Sequence, residues 1–159
     1  MLAKYLKHLV NAAAKHFVYI WGAQGEKVKS LTKTEIENME TSKTNTNRVF
    51  QFVTMLISFR WLTKRTRAFD CSGLVCYYLT KVGREPKGFD ITADALYKKY
   101  PHSKELLPGM LLHRSGHIAT YAGNGHLIEA KGRDYGVIVS PFVAAEWDNE
   151  YADPFANER

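Results

Sequence analysis

The stretch AFDCSGLVCYYLTKVG, residues 68–83, decides how this chain is read. Cys71, Leu74, Val75, Tyr78, Leu79 and Val82 fall at i, i+3, i+4, i+7, i+8 and i+11, the spacing of one helix face. Asp70 stands where an N-cap belongs and Gly83 where a helix-ending glycine belongs. A cysteine therefore opens the buried face of a helix. A helix N-terminus carries partial positive charge and free N–H groups, which lower a thiol pKa. The N–H groups of Cys71 and Ser72 are expected to be free to act as an oxyanion hole, and Gly73 to leave room for a substrate. A cysteine on an apolar stripe is often a plain core residue, but Asp-Cys-Ser-Gly at a helix start favours a nucleophile. Cys76 lies ~140° further round the helix. Its Cα is expected about 8 Å from that of Cys71, beyond disulfide reach, so it reads as structural.

Upstream, residues 1–17 read as an amphipathic helix. Leu2, Tyr5, Leu6, Leu9, Val10 and Ala13 share one face; Lys4, Lys7, His8, Asn11 and Lys15 take the other. FVYIWGAQGE reads as a short extended or turn segment ending in glycines. The polar stretch 25–47 suggests a short helix near 33–40 and a loop, with Asn45 or Thr46 capping a further helix. That helix has Val49, Phe52, Val53, Leu56 and Ile57 on one face. KRTR, residues 64–67, forms a basic turn.

Downstream, ITADALYKKY predicts a short helix capped by Thr92. After Pro108 the character changes. GMLLHR, HIATYAG, HLIEAKG and GVIVSP are β-rich runs separated by Gly, Asn and Asp, which predict a small antiparallel sheet. Helices first and strands second imply an α+β fold.

A nucleophilic cysteine needs a base, usually His, and the base needs an orienting group. Six histidines compete: His8, His16, His102, His113, His117 and His126. His117 opens a strand just after Ser115-Gly116, a position suited to a cleft rim. Glu129, Asp134 and His126 are candidates for the orienting group. A two-residue Asn-Gly turn puts His117 and Glu129 on opposite faces of the hairpin, because side chains alternate. Bringing them together demands a three- or five-residue loop, or a bulge.

Composition narrows the classes. The chain has 159 residues, enough for one domain with a core. Hydrophobic residues are 45% and charged residues 24%, which excludes bulk disorder and rods. No run of ~18 apolar residues suggests a membrane span. Two cysteines exclude a disulfide scaffold, and clustered zinc ligands are missing. Twenty-two basic against 16 acidic residues give +6, a balance that favours polyanions. No recognised nucleic-acid motif accompanies it, so nucleic acid is not expected as a partner. The N-terminal stretch has charges where a secretion signal needs an apolar core, so release or export by another route is expected.

FDCSGLV, then GHIATYAGNGHLIEA, together with YIWGAQGE upstream, resembles the NlpC-type cell-wall cysteine peptidases, small papain-like enzymes acting on bacterial peptidoglycan. The resemblance covers roughly residues 16–24 and 68–140. It implies Cys71 as nucleophile, His117 as base and Glu129 as third residue, where relatives commonly have His, sometimes Asn or Gln. A carboxylate there still orients an imidazole and favours its protonated form. The resemblance also implies that Tyr19 places its hydroxyl near the nucleophile, and that Asp70 helps hold a substrate amine besides capping the helix. Forty-six residues (23–68) separate Trp21-Gly22 from Phe69-Asp70, a much longer connection than compact relatives have. The chain thus reads as one catalytic domain, 1–159, with an insertion at about 25–67. The implied chemistry is amide hydrolysis through a thioester, with Tyr19 or the Ser72 N–H as second oxyanion donor and no metal or organic cofactor. A stem-peptide endopeptidase is the first reading. An N-acetylmuramoyl-L-alanine amidase and a papain-like acyltransferase are the alternatives. A monomer is expected, acting at the bacterial wall on peptidoglycan and its anionic polymers. A phage or mobile-element lysin fits the expected lack of a secretion signal.

Overall fold

In a computed structural model describing residues 1–159, the amphipathic start forms helix α1 (Leu2–Ala14), which buries Tyr5, Leu9 and Ala12. The buried stripe is rotated slightly from the expected one, leaving Val10 half exposed. The aromatic segment then gives β1 (Val18–Tyr19) and β2 (Gln24–Lys27). Helix α2 (Lys33–Met39) starts at Thr32, whose hydroxyl accepts from the Glu35 N–H while the Glu35 carboxylate accepts from the Thr32 N–H. Helix α3 (Lys43–Ser58) is capped by Ser42, whose hydroxyl accepts from the Asn45 N–H. Asn45 and Thr46, the expected caps, lie inside the first turn, because the helix starts earlier than its apolar stripe. Ile57, expected on the buried face, is exposed where the helix ends.

Strand β3 (Arg67–Phe69) closes this part. It runs between β1, to which it is parallel with Tyr19 opposite Phe69, and β2, to which it is antiparallel. The order helices first, strands second therefore fails locally: a mixed three-stranded sheet is threaded through the first helices. Strands this short have no room for an alternating pattern, which hid them in the sequence. Val28, Ile36, Val49, Phe52 and Leu56 pack on Val18, Ile20 and Ala68, so the long connection builds its own core against this sheet.

Helix α4 (Cys71–Lys81) follows directly and buries Cys71, Leu74, Val75, Tyr78 and Leu79. Helix α5 (Ala93–Lys99) is capped by Thr92. The remaining chain supplies β4 (His102–Ser103), β5 (Leu111–Arg114), β6 (His117–Gly123), β7 (His126–Gly132), β8 (Gly136–Pro141) and β9 (Tyr151–Ala152). They form a six-stranded antiparallel sheet in the order β4-β9-β5-β6-β7-β8. Leu111, Ile118, Ile128 and Ala130 point from one face into the core shared with α1 and α4. Leu112, Ala119 and Leu127 point the other way and pack with Trp147 and Tyr151.

The β6–β7 hairpin turns on Asn124 and Gly125, both with positive φ (53° and 75°). Gly123 pairs with His126, but Tyr121 pairs with Leu127 and Thr120 with Ile128, so β6 carries one extra residue in between. The turn is the two-residue kind that separates His117 from Glu129, and the bulge reverses that separation.

Candidate active site

Cys71 is the first residue of α4 and lies 9% exposed. Four hydrogen bonds fix the helix start. The Asp70 carboxylate accepts from the Gly73 N–H at 2.7 Å through Oδ1 and from the Gly22 N–H at 3.0 Å through Oδ2. The Ser72 hydroxyl donates to the same carboxylate at 3.4 Å. The Asp70 N–H donates to the Ala23 carbonyl at 2.9 Å. Gly73 has a different reason from the expected one. A Cβ there would meet the Ala23 oxygen at 2.2 Å, so the glycine admits the protein's own backbone, not a substrate.

The thiol itself donates to the Gly116 carbonyl at 3.8 Å, one residue before His117. Burial pushes the Cys71 thiol above its ordinary value and the Asp70 charge adds to this. The N–H groups of Ile118, Ser72 and Cys71 pull in the other direction without prevailing. The expected lowering by the helix end is therefore outweighed by desolvation in the resting molecule.

His117 is the first residue of β6, and its Nε2 lies 2.9 Å from Glu129 Oε1. Continuing the Thr120–Ile128 register sets Ala119 opposite Glu129, with His117 one diagonal step away on the same face. The ring stacks on Trp147, centroids 5.7 Å apart, and Arg114 lies over the same indole at 4.5 Å. Glu129 is 3% exposed. Burial alone pushes its carboxyl up, but the bond from His117, the nearby Ser140 hydroxyl and the charges of His117 and Arg114 carry it below its ordinary value. With Nε2 committed to Glu129, Nδ1 is the nitrogen left for proton transfer. The structure thus brings His117 to Glu129, and Cys71 to the backbone on either side of His117; the thiol hydrogen bond goes to Gly116 rather than to the imidazole.

The other candidates lie apart. Asp134 pairs with Arg48 on the surface and His126 is exposed at the far end of β7. His8 stacks on Tyr78, His16 on Trp61, and His102 contacts the Tyr97 carbonyl.

Tyr19 is buried, and burial followed by the nearby charges of Cys71 and Asp70 pushes its phenol up to about 12, with Arg133 opposing. The Arg133 guanidinium lies over the Tyr19 ring at 5.2 Å. It is held there by Glu40, which accepts from Arg133 Nη2 at 2.7 Å and from Nε at 3.2 Å. The Glu40 carboxylate, fully buried at the end of α2, also accepts the Trp21 N–H at 3.1 Å. The long connection therefore reaches the site through one buried ion pair. Sequence spacing gave no signal for it, since Glu40 and Arg133 are 93 positions apart.

Chemically, a thiol among inward-facing N–H groups, beside an imidazole fixed by a carboxylate, suits attack on a carbonyl. Residues 57–155, more than half of the chain, match the NlpC/P60 family. No curated protein matches the sequence. Among solved structures the chain is similar to the peptidoglycan hydrolase RipB of Mycobacterium tuberculosis, with a TM-score of 0.59 and 22% identity over 96% of this chain and 66% of RipB. It is similar also to the P60 domain of the Mycobacterium avium subspecies paratuberculosis antigen MAP1204, with a TM-score of 0.54 and 18% identity over 96% of each chain. A third similar structure is RipD of M. tuberculosis, a non-catalytic NlpC/p60 domain protein adapted to peptidoglycan binding, with a TM-score of 0.52 and 17% identity over 93% of this chain and 95% of RipD. The chain thus spans about two thirds of the length of RipB. At these identities the likeness is one of fold, and it agrees with the α+β, papain-like architecture. No helix is long and apolar enough to cross a membrane.

Proposed function

The chain belongs to the NlpC/P60 family, and from that premise we propose that it is a cysteine hydrolase cutting an amide bond in the stem peptide of bacterial peptidoglycan. The observation that carries the reading is the His117–Glu129 bond of 2.9 Å at the strand start against which the Cys71 thiol rests. A binding module of the RipD kind has no need of a thiol, an imidazole and a buried carboxylate so placed. The reading treats residues 1–159 as one catalytic domain with an insertion at about 25–67.

In this reading His117 Nδ1 takes the thiol proton as Cys71 Sγ attacks the carbonyl carbon. The oxyanion is held by the Cys71 N–H together with the Ser72 N–H or the Tyr19 hydroxyl. The C–N bond breaks, the amine leaves with the proton from His117, and a thioester remains. His117 then deprotonates water, the hydroxide attacks the thioester, and the carboxylate departs as Cys71 regains its proton. Glu129 keeps Nδ1 turned to the thiol and stabilises the imidazolium formed in each half-reaction. Asp70 is taken up mainly by the helix start, which leaves the edge of its carboxylate for a substrate amine.

The test is mass spectrometry of soluble fragments released from purified sacculi by the wild type and by Cys71→Ala. Release by the wild type alone, with split stem peptides, is expected. Free muramyl lactate shows amidase cleavage instead. No release from several wall types overturns the reading.

A further inference from the structure

Two cavities adjoin on the side of the molecule formed by the ends of α1 and α4 and the turn before β3. One, of about 440 Å³, is lined in part by Lys15, Lys27, Arg65 and Lys81. The other, of about 650 Å³, is lined in part by Lys15, Arg60, Lys64 and Arg65. Lys15 and Arg65 wall both, so the two form one surface. Neither lining contains an Asp or Glu. The lysine and arginine ion pairs of the chain, Arg48–Asp134, Lys99–Glu85, Arg133–Glu40 and Arg159–Asp153, all lie elsewhere. These six cations therefore face solvent and each other without a carboxylate. His8, in the first cavity, is held below its ordinary pKa by burial and then by the charges of Lys81, Lys7, Lys15 and Lys4, two of which, Lys81 and Lys15, belong to this face.

An aromatic platform borders this surface. Phe59 stacks on Trp61 with centroids 4.8 Å apart, and Trp61 on His16 at 4.2 Å. Phe59 is 59% and Trp61 42% exposed. His16, in the stack, and Arg60, between Phe59 and Trp61 in sequence, are both non-glycine residues with positive φ, 55° and 58°. Each is the left-handed residue that ends a helix, α1 or α3, with the next N–H closing on the last turn, Phe17 on the Ala12 carbonyl and Trp61 on that of Leu56, which fixes where the platform sits. The reaction does not use this face. Cys71 and Lys81 are the two ends of α4, about 15 Å apart along the helix.

We propose that this face binds the acidic sugar chains of the bacterial wall, with their carboxylates or phosphates on Lys15, Arg60, Lys64 and Arg65 and their ring faces against Phe59 and Trp61. Unpaired clustered cations match a polymer with repeated negative charge, and flat apolar side chains match sugar rings better than they match the peptide that is cut. The choice of a glycan over another polyanion rests on the peptidoglycan reading above. The surface holds the protein on the wall while the distant thiol acts on stem peptides within reach.

The experiment is co-sedimentation of Cys71→Ala protein, which cannot cut, with purified sacculi. Lys64→Ser/Arg65→Ser and Trp61→Ala are added in the same background, with Lys15→Ser as a replacement should the double variant melt early. Retention should fall at least ~tenfold when salt rises from about 50 to about 200 mM, and by a similar factor in the double variant. Trp61→Ala should lose about threefold, the scale of one partly exposed aromatic contact. Sacculi stripped of phosphodiester-linked polymers decide the occupant: lost retention assigns the acidic sugar polymers and supports the proposal, whereas kept retention puts the charge on stem-peptide carboxylates and overturns it. No retention, variants that bind like the parent, or displacement by single-stranded DNA at lower concentration than by hyaluronate of equal charge overturns it. Retention without cutting by the wild type overturns the hydrolase reading alone; cutting without retention overturns this proposal alone.

Discussion

His113 and His117 stand on neighbouring antiparallel strands, four residues apart, and both lie mostly buried beside carboxylates. Their surroundings differ in one respect. His113 has Asp148 at 2.6 Å from Nδ1 and Asp94 at 2.6 Å from Nε2, and its ring stacks on Tyr97 at 4.4 Å. Both ring nitrogens are engaged by those carboxylates, so neither is left for proton transfer. His117 gives one nitrogen to Glu129 and keeps the other. The same residue type is thus a strut where it has two carboxylates and a candidate base where it has one. Asp94 also accepts the Gly116 N–H at 3.2 Å, so the strut braces the turn that presents the candidate base.

The contrast is broken most directly by deleting each ring. His117→Ala should lower fragment release by ~1,000-fold or more, the scale of a lost general base in a nucleophilic site. His113→Ala should keep activity within about tenfold while losing roughly 2 kcal/mol of stability, the common size for a lost buried contact network. Equal loss of activity in both variants ends the distinction. Glu40→Ala tests whether a carboxylate on a cation is also a strut. It leaves Arg133 without its partner and the Trp21 N–H without its acceptor, and chemical denaturation should show a cost of about 3 kcal/mol. Glu129→Gln sharpens the one-carboxylate side. The amide still accepts from Nε2 but no longer stabilises the imidazolium, so kcat should fall by ~10- to 100-fold with KM little changed.

The pH dependence separates the two histidine sites further. With burial holding the Cys71 thiol above its ordinary value of 9.0, its alkylation by iodoacetamide should keep accelerating above that pH. A plateau reached below neutrality shows instead a thiolate–imidazolium pair. At the acid end, Asp94 is held below its ordinary value chiefly by the His113 bond, and Glu129 below its own despite burial. Carboxyls lowered by folding stabilise the native state above their ordinary values of 3.8 and 4.5 and lose that contribution as pH falls through the lowered ones. The urea midpoint should therefore drop below about pH 4, and slightly less steeply in Asp94→Asn.

Much of this was legible in the sequence where periodicity or capping chemistry is local. The α4 stripe from Cys71, the Asp70 and Thr92 caps, and the four long strands after Pro108 follow from neighbours a few residues apart. What stayed hidden depends on tertiary contact. Strands β1 and β3 exist because they pair across about fifty residues, not because two or three residues carry a pattern. Ser42 precedes the apolar stripe that it caps, so the stripe pointed too far along the chain. The helix-end argument at Cys71 was sound electrostatics, but desolvation depends on what packs above the thiol. Gly73 answers to the Ala23 carbonyl, a neighbour that no spacing rule names.

The extra residue in β6 has an evolutionary corollary. Because side chains alternate, the hairpin between His117 and Glu129 behaves as a parity lock. Removing one residue from it sends the two side chains to opposite faces, whereas removing or adding two restores their meeting. Natural length variation in this hairpin should therefore come in even steps, or in odd steps matched by a gained or lost bulge. A lineage that drifts by a single unmatched residue turns Glu129 away from His117 and the apolar side chains beside it out of their cores, and so loses the site and stability together.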